Sequence, residues 1–572
     1  MRLKVSKSKN AASLYVIKSV YNPKTQSNTS KIVEKLGTEA SLRKKLNGKD
    51  PYKWAKEYIE ELNRKEEENK REVLIKYSPV KFIEKDKQLL FNGGYLFLES
   101  IYHDLGIDDL CKNISDKYKF KYDLNSILSR LIYGRILFPT SKLGTFKLSK
   151  KFIDQPKFKL QHIYRALEVL AKEMDYVQSW LYTNSLNISK RNTGVLYYDC
   201  TNFFFDIEQE SGLKQYGISK EHRPNPIVQM GLFMDGDGIP LAFNINKGNT
   251  NEQLTLKPLE KKILSDFDLS KFVVCTDAGL ASQSNRKFND RDDRAFITTQ
   301  SIKKLKKHLK TWALDSKGWH LVDDNTTYDI SNLDEDKYFD KIFYKQRWIK
   351  EDNLEQKLIV TFSLKYRDYQ RDVRNSQIQR AQKLIDKNPK KIGKLNKNDY
   401  KRFIKKTSLT KEGEKADKEI YTIHTENISK DEVYDGFYGV CTNLDSSSGE
   451  IIEVNKNRWQ IEECFRIMKS EFKARPVYLS RDDRIKAHFT TCFMSLIIYK
   501  LLEKKLEKKY TCSDIIDNLK DMNFYKVDSE GFVPTYTRND FTDDLHETFG
   551  FRTDYQILNK KHLKNIFKQT KN

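Results

Sequence analysis

The apolar positions change their period several times along the chain. Residues 13–36, "SLYVIKSVYNPKTQSNTSKIVEKL", alternate apolar and polar on either side of an Asn22-Pro23 step, which predicts a small hairpin. The run that follows, "WAKEYIEELNRKEEENKREVLIK", has helical spacing and is densely charged, as in a connector or an exposed arm. From about 88 to 190 apolar residues recur every three to four positions, in "NGGYLFLESIYHDLGIDDL", "LNSILSRLIYGRILFPTSKLGTFKL" and "IYRALEVLAKEMDYVQSWLYTNSL", and predict a mostly helical domain. Its short helices break at Pro139. Arg130, Arg135, Lys142 and Lys147 nearby fit either a helix-turn-helix reader of DNA or an ordinary bundle.

From 191 the period becomes that of strands, in "GVLYYDCTNFFFD", "PIVQMGLFMDGDG", "IPLAFNINKG", "KFVVCTDAG" and "AFITTQS", so an α/β domain with a mixed sheet is expected. Asp235 and Asp237 in "MDGDGIP" read as hairpin-turn residues. Residues 303–431 are very basic, carry strand-like pieces such as "KYFDKIFYKQRW" and "LIVTFSL", and look inserted. Sheet-type sequence resumes in "YDGFYGVCTNL". The segment "HFTTCFMSLIIYKLL" at 488–502 falls short of the roughly 20 apolar residues that span a bilayer and reads as a buried helix. The expected organisation is an N-terminal hairpin and arm (1–87), a helical DNA-binding domain (88–190), a catalytic core in two parts (191–302 and 432–505) around a basic β-rich insertion (303–431), and a partly helical tail (506–572).

Charge adds a partner class. The 572 residues include 104 Lys and Arg against 80 Asp and Glu, a formal net charge of +24 spread through the chain. Such a field attracts polyanions, although a Lys-rich compositional habit of the source organism produces the same number. The seven cysteines form no CxxC pair and fall mostly inside apolar runs, as expected of buried thiols in a reducing compartment. "MRLKVSKSKN" lacks the apolar core of a signal peptide, so a cytoplasmic location and no membrane association are expected.

Three carboxylates stand out. In "NRWQIEECFRIMKSEF", read as one helix, Arg458, Glu462, Arg466, Lys469 and Lys473 share a stripe beside an apolar face of Ile461, Cys464, Phe465, Met468 and Phe472. Glu462 is then either a rung in a solvated ladder of ion pairs with Arg458 and Arg466, or a metal ligand among phosphate-gripping cations. Asp199 interrupts the apolar strand "VLYYDCTNFFF", where an unpaired charge is expensive. Asp277 ends the strand "KFVVCTD" before a Gly-containing turn, a place where α/β sheets present functional groups and where a helix N-cap is the alternative. Asp206 lies at an easily solvated strand end, and Glu463 points about 100° away from Glu462 on the helix. Two Asp from strands and one Glu from a later helix fit a pair of Mg²⁺ ions roughly 3.5 to 4 Å apart at a phosphodiester.

These residues resemble a known family, the DDE transposases of bacterial insertion sequences, in the group marked by a Tyr-Arg-Glu-Lys signature. Arg458, Glu462 and Lys469 match that signature's R-x3-E-x6-K part, while Asn455 stands where its Tyr is expected. "YYDCTNFFF", "TDAGLAS", "GNTNE" and "RPVYLSRDDRIKAHF" extend the resemblance over roughly 190–505. It implies a ribonuclease-H-like core interrupted by a β-rich insertion, with Asp199, Asp277 and Glu462 as catalytic metal ligands for two Mg²⁺ ions, for which Mn²⁺ can substitute. Arg458, Lys469 and Arg466 are the implied phosphate contacts. The implied partners are double-stranded DNA, as terminal inverted repeats and target, and a second copy of the chain; the implied setting is a bacterial nucleoid. Family members stack a flipped base on an aromatic of the insertion, which makes Trp312, Trp319 or Trp348 a candidate against ordinary core packing. Two other functions compete: a ribonuclease-H-like nuclease or resolvase without strand transfer, and a domesticated DNA-binding protein that no longer cuts.

Overall fold

The structure, a computed structural model, describes residues 1–8, 11–22, 27–46, 49–69, 78–291, 293–322, 324, 326–387, 392, 399–409, 418–528 and 530–571. The chain divides into two compact units, one of Met1–Lys87 with Val527–Glu530 and one of Gln88–Lys526 with Gly531–Asn572. In the smaller unit, strands β1 (Arg2–Ser8), β2 (Ala11–Asn22) and β3 (Ser27–Thr38) form an antiparallel meander. The expected hairpin is therefore joined by one more strand, and its Pro23 turn lies outside the described residues. Register shifts beside Leu14 and Val16 break the strict alternation, which is why Val16 and Ile17 are both buried. Helix Glu39–Lys45 is capped reciprocally by Thr38 and Ser41, and helix Pro51–Asn69 starts on a proline, whose missing N–H would have been unpaired there anyway.

The larger unit opens with β4 (Leu90–Asn92) and the helices Tyr95–Asp104, Ile107–Tyr118, Leu124–Leu137, Lys142–Leu148, Leu160–Lys172 and Met174–Ile188. Their apolar faces share one core with helix Asp482–Lys505 and with the C-terminal helices Cys512–Asp521, Asp540–Phe549 and Lys560–Gln569. The tail thus closes the helical region, with Phe97 stacked on Phe551 at 4.8 Å. By length and composition Asp482–Lys505 passes for a membrane span, but 94% of its apolar window is buried inside the protein. Arg130, Arg135 and Lys142 are also buried, so they cannot read a DNA groove as a helix-turn-helix would require; Arg130 donates to Asp154 at 2.8 Å.

A nine-stranded mixed sheet forms the centre. It contains β5 (Val195–Phe204), β6 (Ile227–Asp235), β7 (Pro240–Lys247), β8 (Phe272–Thr276), β9 (Arg294–Gln300), β10 (His320–Leu321), β11 (Phe343–Glu351), β12 (Leu354–Phe362) and β15 (Phe437–Thr442). The order is β10-β11-β12-β15-β9-β8-β5-β6-β7. β5, β6 and β7 are antiparallel, β8 and β9 run parallel to β5, and β15, β12, β11 and β10 return to antiparallel pairing. The stretch 303–431 therefore continues the same sheet through β10, β11 and β12. Among the described residues, helix Leu364–Lys387, the turn at Phe403 and the hairpin β13 (Ile404–Leu409) with β14 (Lys418–Ile423) form a satellite with its own small core.

Strand β5 shows how alternation sets the faces. Leu196, Tyr198 and Cys200 belong to the core covered by helix Leu256–Asp266, while Tyr197 and Phe203 face the core that contains Asp482–Lys505. Asp199 shares the parity of Tyr197.

The turn between β6 and β7 is a hairpin, and Gly238 takes a positive φ of 88° there. Asp235 does more than turn the chain: it is fully buried, accepts from Arg191 Nε at 2.6 Å, and receives the backbone N–H groups of Asp237 and Ile239.

Candidate active site

The two aspartates meet through strand register. β5 and β8 pair in parallel up to Tyr198 opposite Thr276, so Asp199 and Asp277 are the next residues on strands less than 5 Å apart by ordinary sheet geometry. Tyr197, on the face of Asp199, donates to the carbonyl of Val454 at 2.9 Å. That bond ties this face to helix Ser448–Lys456, which leads directly into the helix that carries Glu462.

That second helix, Trp459–Arg466, presses Ile461, Cys464 and Phe465 into the core and leaves Glu462 outward. It does not run on as one α-helix to Phe472, as the apolar spacing predicts. A π turn, Ile467–Glu471, follows, closed by Phe472 N–H to the Ile467 carbonyl at 2.9 Å. The widened turn splits the basic stripe. Arg466 stays outside with Glu463 and Glu471, both at 3.7 Å, whereas Lys469 is only 14% exposed and lies 3.3 Å from Glu221. Single π turns of this kind recur at functional sites.

A cleft of about 370 Å³ is lined by Asp199, Lys220, Glu462, Arg466, Lys469 and Arg475, among others. Burial pushes the Asp199 carboxyl up to about 6; the neighbouring Asp277 adds to the rise, and Lys220 opposes it. One Asp199 oxygen accepts the Cys200 N–H at 2.7 Å. Lys469 is pulled down to about 8 by burial and by the Lys220 charge beside it. Burial also works against Lys220, but Asp199 and Glu252 outweigh it and hold the ammonium charged.

Arg458 links the carboxylates. Its guanidinium is 20% exposed and reaches Glu462 at 3.1 Å, while Glu462 itself is 59% exposed. Burial disfavours the Arg458 charge, but Tyr438, Glu462, Asp199 and Asp277 together hold it above its ordinary range. The ladder reading of Glu462 is therefore half present: the rung to Arg458 exists, and Arg466 turns elsewhere. Asp277 accepts the Leu280 N–H at 3.0 Å, capping its turn with one oxygen, and it does not line the cleft. Asn455 donates to the hydroxyl of Tyr438 at 3.3 Å, so a tyrosine from β15 stands beside the position where the signature has its own.

Asp199, Asp277 and Glu462 are not drawn in to one point. Among the described residues the cluster whose ligating atoms all lie within 4.8 Å of one another is Asp543, His546 and Asp554, where Arg552 and Arg538 already neutralise the aspartates. The donor set at Asp199 and Asp277 nevertheless fits a hard divalent cation: both are carboxylates, they are adjacent, and Asp199 is destabilised as an isolated anion.

Lys220, Glu221 and Glu252 escape a reading based on spacing, because they come from loops that the fold folds back onto β5. The "GNTNE" stretch that holds Glu252 was the accessible signal. Asp206 is exposed, and Glu463 pairs with Lys500 at 3.2 Å. Of the three tryptophans, Trp319 is fully buried and donates to the Asp315 carbonyl, Trp312 is partly buried, and Trp348 is 44% exposed on β11.

Residues 358–498 match the family described as the transposase DDE domain. The matched span holds Arg458, Glu462 and Lys469 and begins after Asp199 and Asp277. No curated protein matches the chain. Among solved structures, the piggyBac transposase synaptic complex with hairpin DNA, determined by cryo-EM, is similar over 83% of this chain and 84% of that one, at 8% identity and a TM-score of 0.37. The family match supports a transposase of the DDE type, and the span that carries it includes the helix of Glu462.

Proposed function

We propose that the chain is a DDE transposase that binds the terminal inverted repeats of its own element, cuts at their ends and joins the 3′ ends to target DNA. The observation that carries this reading is the juxtaposition of Asp199 and Asp277 at the end of the β5–β8 ladder, with Arg458, paired to Glu462 at 3.1 Å, close enough to feel both charges. The order β7-β6-β5-β8-β9, three antiparallel strands and then two parallel ones, supports a ribonuclease-H-like core.

Asp199, Asp277 and Glu462 hold the divalent ions, two Mg²⁺ in this reading, with Mn²⁺ as a substitute. Bound there, such ions would supply Lewis acidity to the scissile phosphodiester and to the attacking hydroxyl. Lys469 and Arg458 grip phosphates on either side of the scissile bond, and both are partly dehydrated, which strengthens charge-assisted hydrogen bonds. Arg466, being exposed, contributes steering more than grip. When Arg458 turns from Glu462 to a phosphate, it frees that carboxylate for the metal, so substrate and metal bind cooperatively. Two DNA ends brought together call for at least a dimer on DNA.

The test incubates purified protein with a labelled terminal-repeat duplex and a target plasmid in Mg²⁺. Cut ends and a joined product are expected, with Mn²⁺ supporting both. Cutting without joining turns the assignment to a nuclease or resolvase, and binding without cutting turns it to a DNA-binding protein.

A further inference from the structure

Arg475 lines a second cavity besides the cleft of Asp199 and Glu462. This cavity, about 600 Å³, lies between the turn 139–143 and the segment 473–479, and its wall includes Arg135, Lys142, Tyr164, Tyr478 and His488. No carboxylate lines it. Lys142 is 5% exposed and its Nζ has no hydrogen-bond partner. Arg135 is 4% exposed; it donates to the carbonyls of Phe472, Lys473 and Thr140, and its Nε is left over.

Other buried cations of the fold have an acceptor, a backbone carbonyl for Lys214 and Lys345 and a carboxylate for several more. Arg191 has Asp235, Arg294 has Glu260, Arg374 has Asp435, and Lys500 has Glu503. Lys142 has neither a carboxylate nor a carbonyl, and an ammonium buried that way is expensive. Burial, and then the Arg135 charge, push it down to about 7. His488, also in this wall, gives no counter-charge: burial keeps it neutral, and its Nε2 is occupied by the Ala474 carbonyl at 3.0 Å. An anion entering the cavity would supply the counter-charge that no lining residue gives and would favour the ammonium over the neutral amine.

We propose that this cavity binds one nucleotide of the substrate strand, with its phosphate on Lys142 and Arg135. The volume exceeds what inorganic phosphate needs and falls within the range of small-ligand sites. Tyr164 and the exposed Tyr478 offer aromatic faces for the sugar and base. Arg475, which pairs with Glu221, lines both cavities and so places this one next to the catalytic cleft. The assignment of the nucleotide to a bound DNA strand rests on the transposase reading; the phosphate chemistry of the pocket does not.

Calorimetric titration of the intact chain tests it with deoxyadenosine 5′-monophosphate, deoxyadenosine and inorganic phosphate as probes. The monophosphate is expected to bind about tenfold or more tighter than either of the others. Lys142→Met should lower that affinity by about tenfold while melting no lower than the natural protein, because it removes a buried uncompensated charge. Lys147→Met, exposed on the same helix, should bind as the natural protein does. Undetectable monophosphate binding, inorganic phosphate binding as tightly, or an unchanged Lys142→Met protein would each overturn the nucleotide site. Competition separates the sources: the monophosphate should displace a terminal-repeat duplex only at concentrations that fill the pocket, and filling without any displacement overturns the strand assignment. A chain that binds the monophosphate but no duplex contradicts the transposase reading and leaves the pocket standing.

Discussion

Asp199 is held as an anion at a thermodynamic cost, which protonation removes and a bound cation would offset. Its folded carboxyl titrates at about 6, above the ordinary value of 3.8, so the fold favours the protonated form. The penalty is absent below about pH 4, grows between pH 4 and 6, and is complete above that, reaching on the order of 3 kcal/mol. In chelator-treated protein, Asp199→Asn should therefore melt above the natural protein at pH 7.5 and level with it near pH 4. Adding Mg²⁺ at pH 7.5 should raise the melting temperature of the natural protein only. A difference between the two proteins that stays constant with pH would contradict the assignment of this carboxylate. The same residue was legible in the sequence, because a charge inside "VLYYDCTNFFF" demands a reason. Lys220 was not legible, since nothing in a loop lysine's neighbourhood tells which strand the loop will cover.

At the scale of elements, periodicity gave the strands of the sheet and the helices around it, because both bury one face or two and so impose a period. It failed where hydrogen bonding changed within one apolar pattern. The π turn at Ile467–Glu471 keeps Met468 and Phe472 buried, as an α-helix would, yet buries Lys469 in the cleft wall and leaves Arg466 at its exposed edge, paired with Glu463 and Glu471. Aspartates in a turn are another blind spot, since Asp235 and Asp237 share one turn motif and differ only in what packs beneath them. Asp235 neutralises a buried Arg191 that also donates to Ser185 and to the carbonyls of Ile239 and Pro240. Asp235→Ala should lower stability by about 3 to 5 kcal/mol in urea unfolding, because it strands that guanidinium. Asp237→Ala, whose carboxylate meets the half-exposed Lys504 at 2.8 Å, should cost about 1 kcal/mol or less. Equal losses would show that the pair does not fasten the β6–β7 turn to the helical region.

For the whole molecule, charge and fold act at different ranges. A net charge of +24 spread over the chain attracts DNA without selecting a sequence, so binding of a terminal-repeat duplex should weaken steeply as salt rises, with log K linear in log salt. A log K that stays flat between low and moderate salt would refute a phosphate-dominated interface. The proposed chemistry belongs to the small region where β5, β8 and the helix Trp459–Arg466 converge, and these segments are far apart in the sequence. Their convergence was readable only through the family resemblance, since composition and period carry no information about which strand ends meet. The central claim is that Asp199, Asp277 and Glu462 act as one site, and neighbouring carboxylates on one helix test it most directly. Cleavage of the labelled terminal-repeat duplex in Mg²⁺ should be abolished in Glu462→Gln, with DNA binding nearly intact, and retained in Glu463→Gln, whose side chain pairs with Lys500 instead. Robust cutting by Glu462→Gln, or loss of cutting confined to Glu463→Gln, would contradict the account.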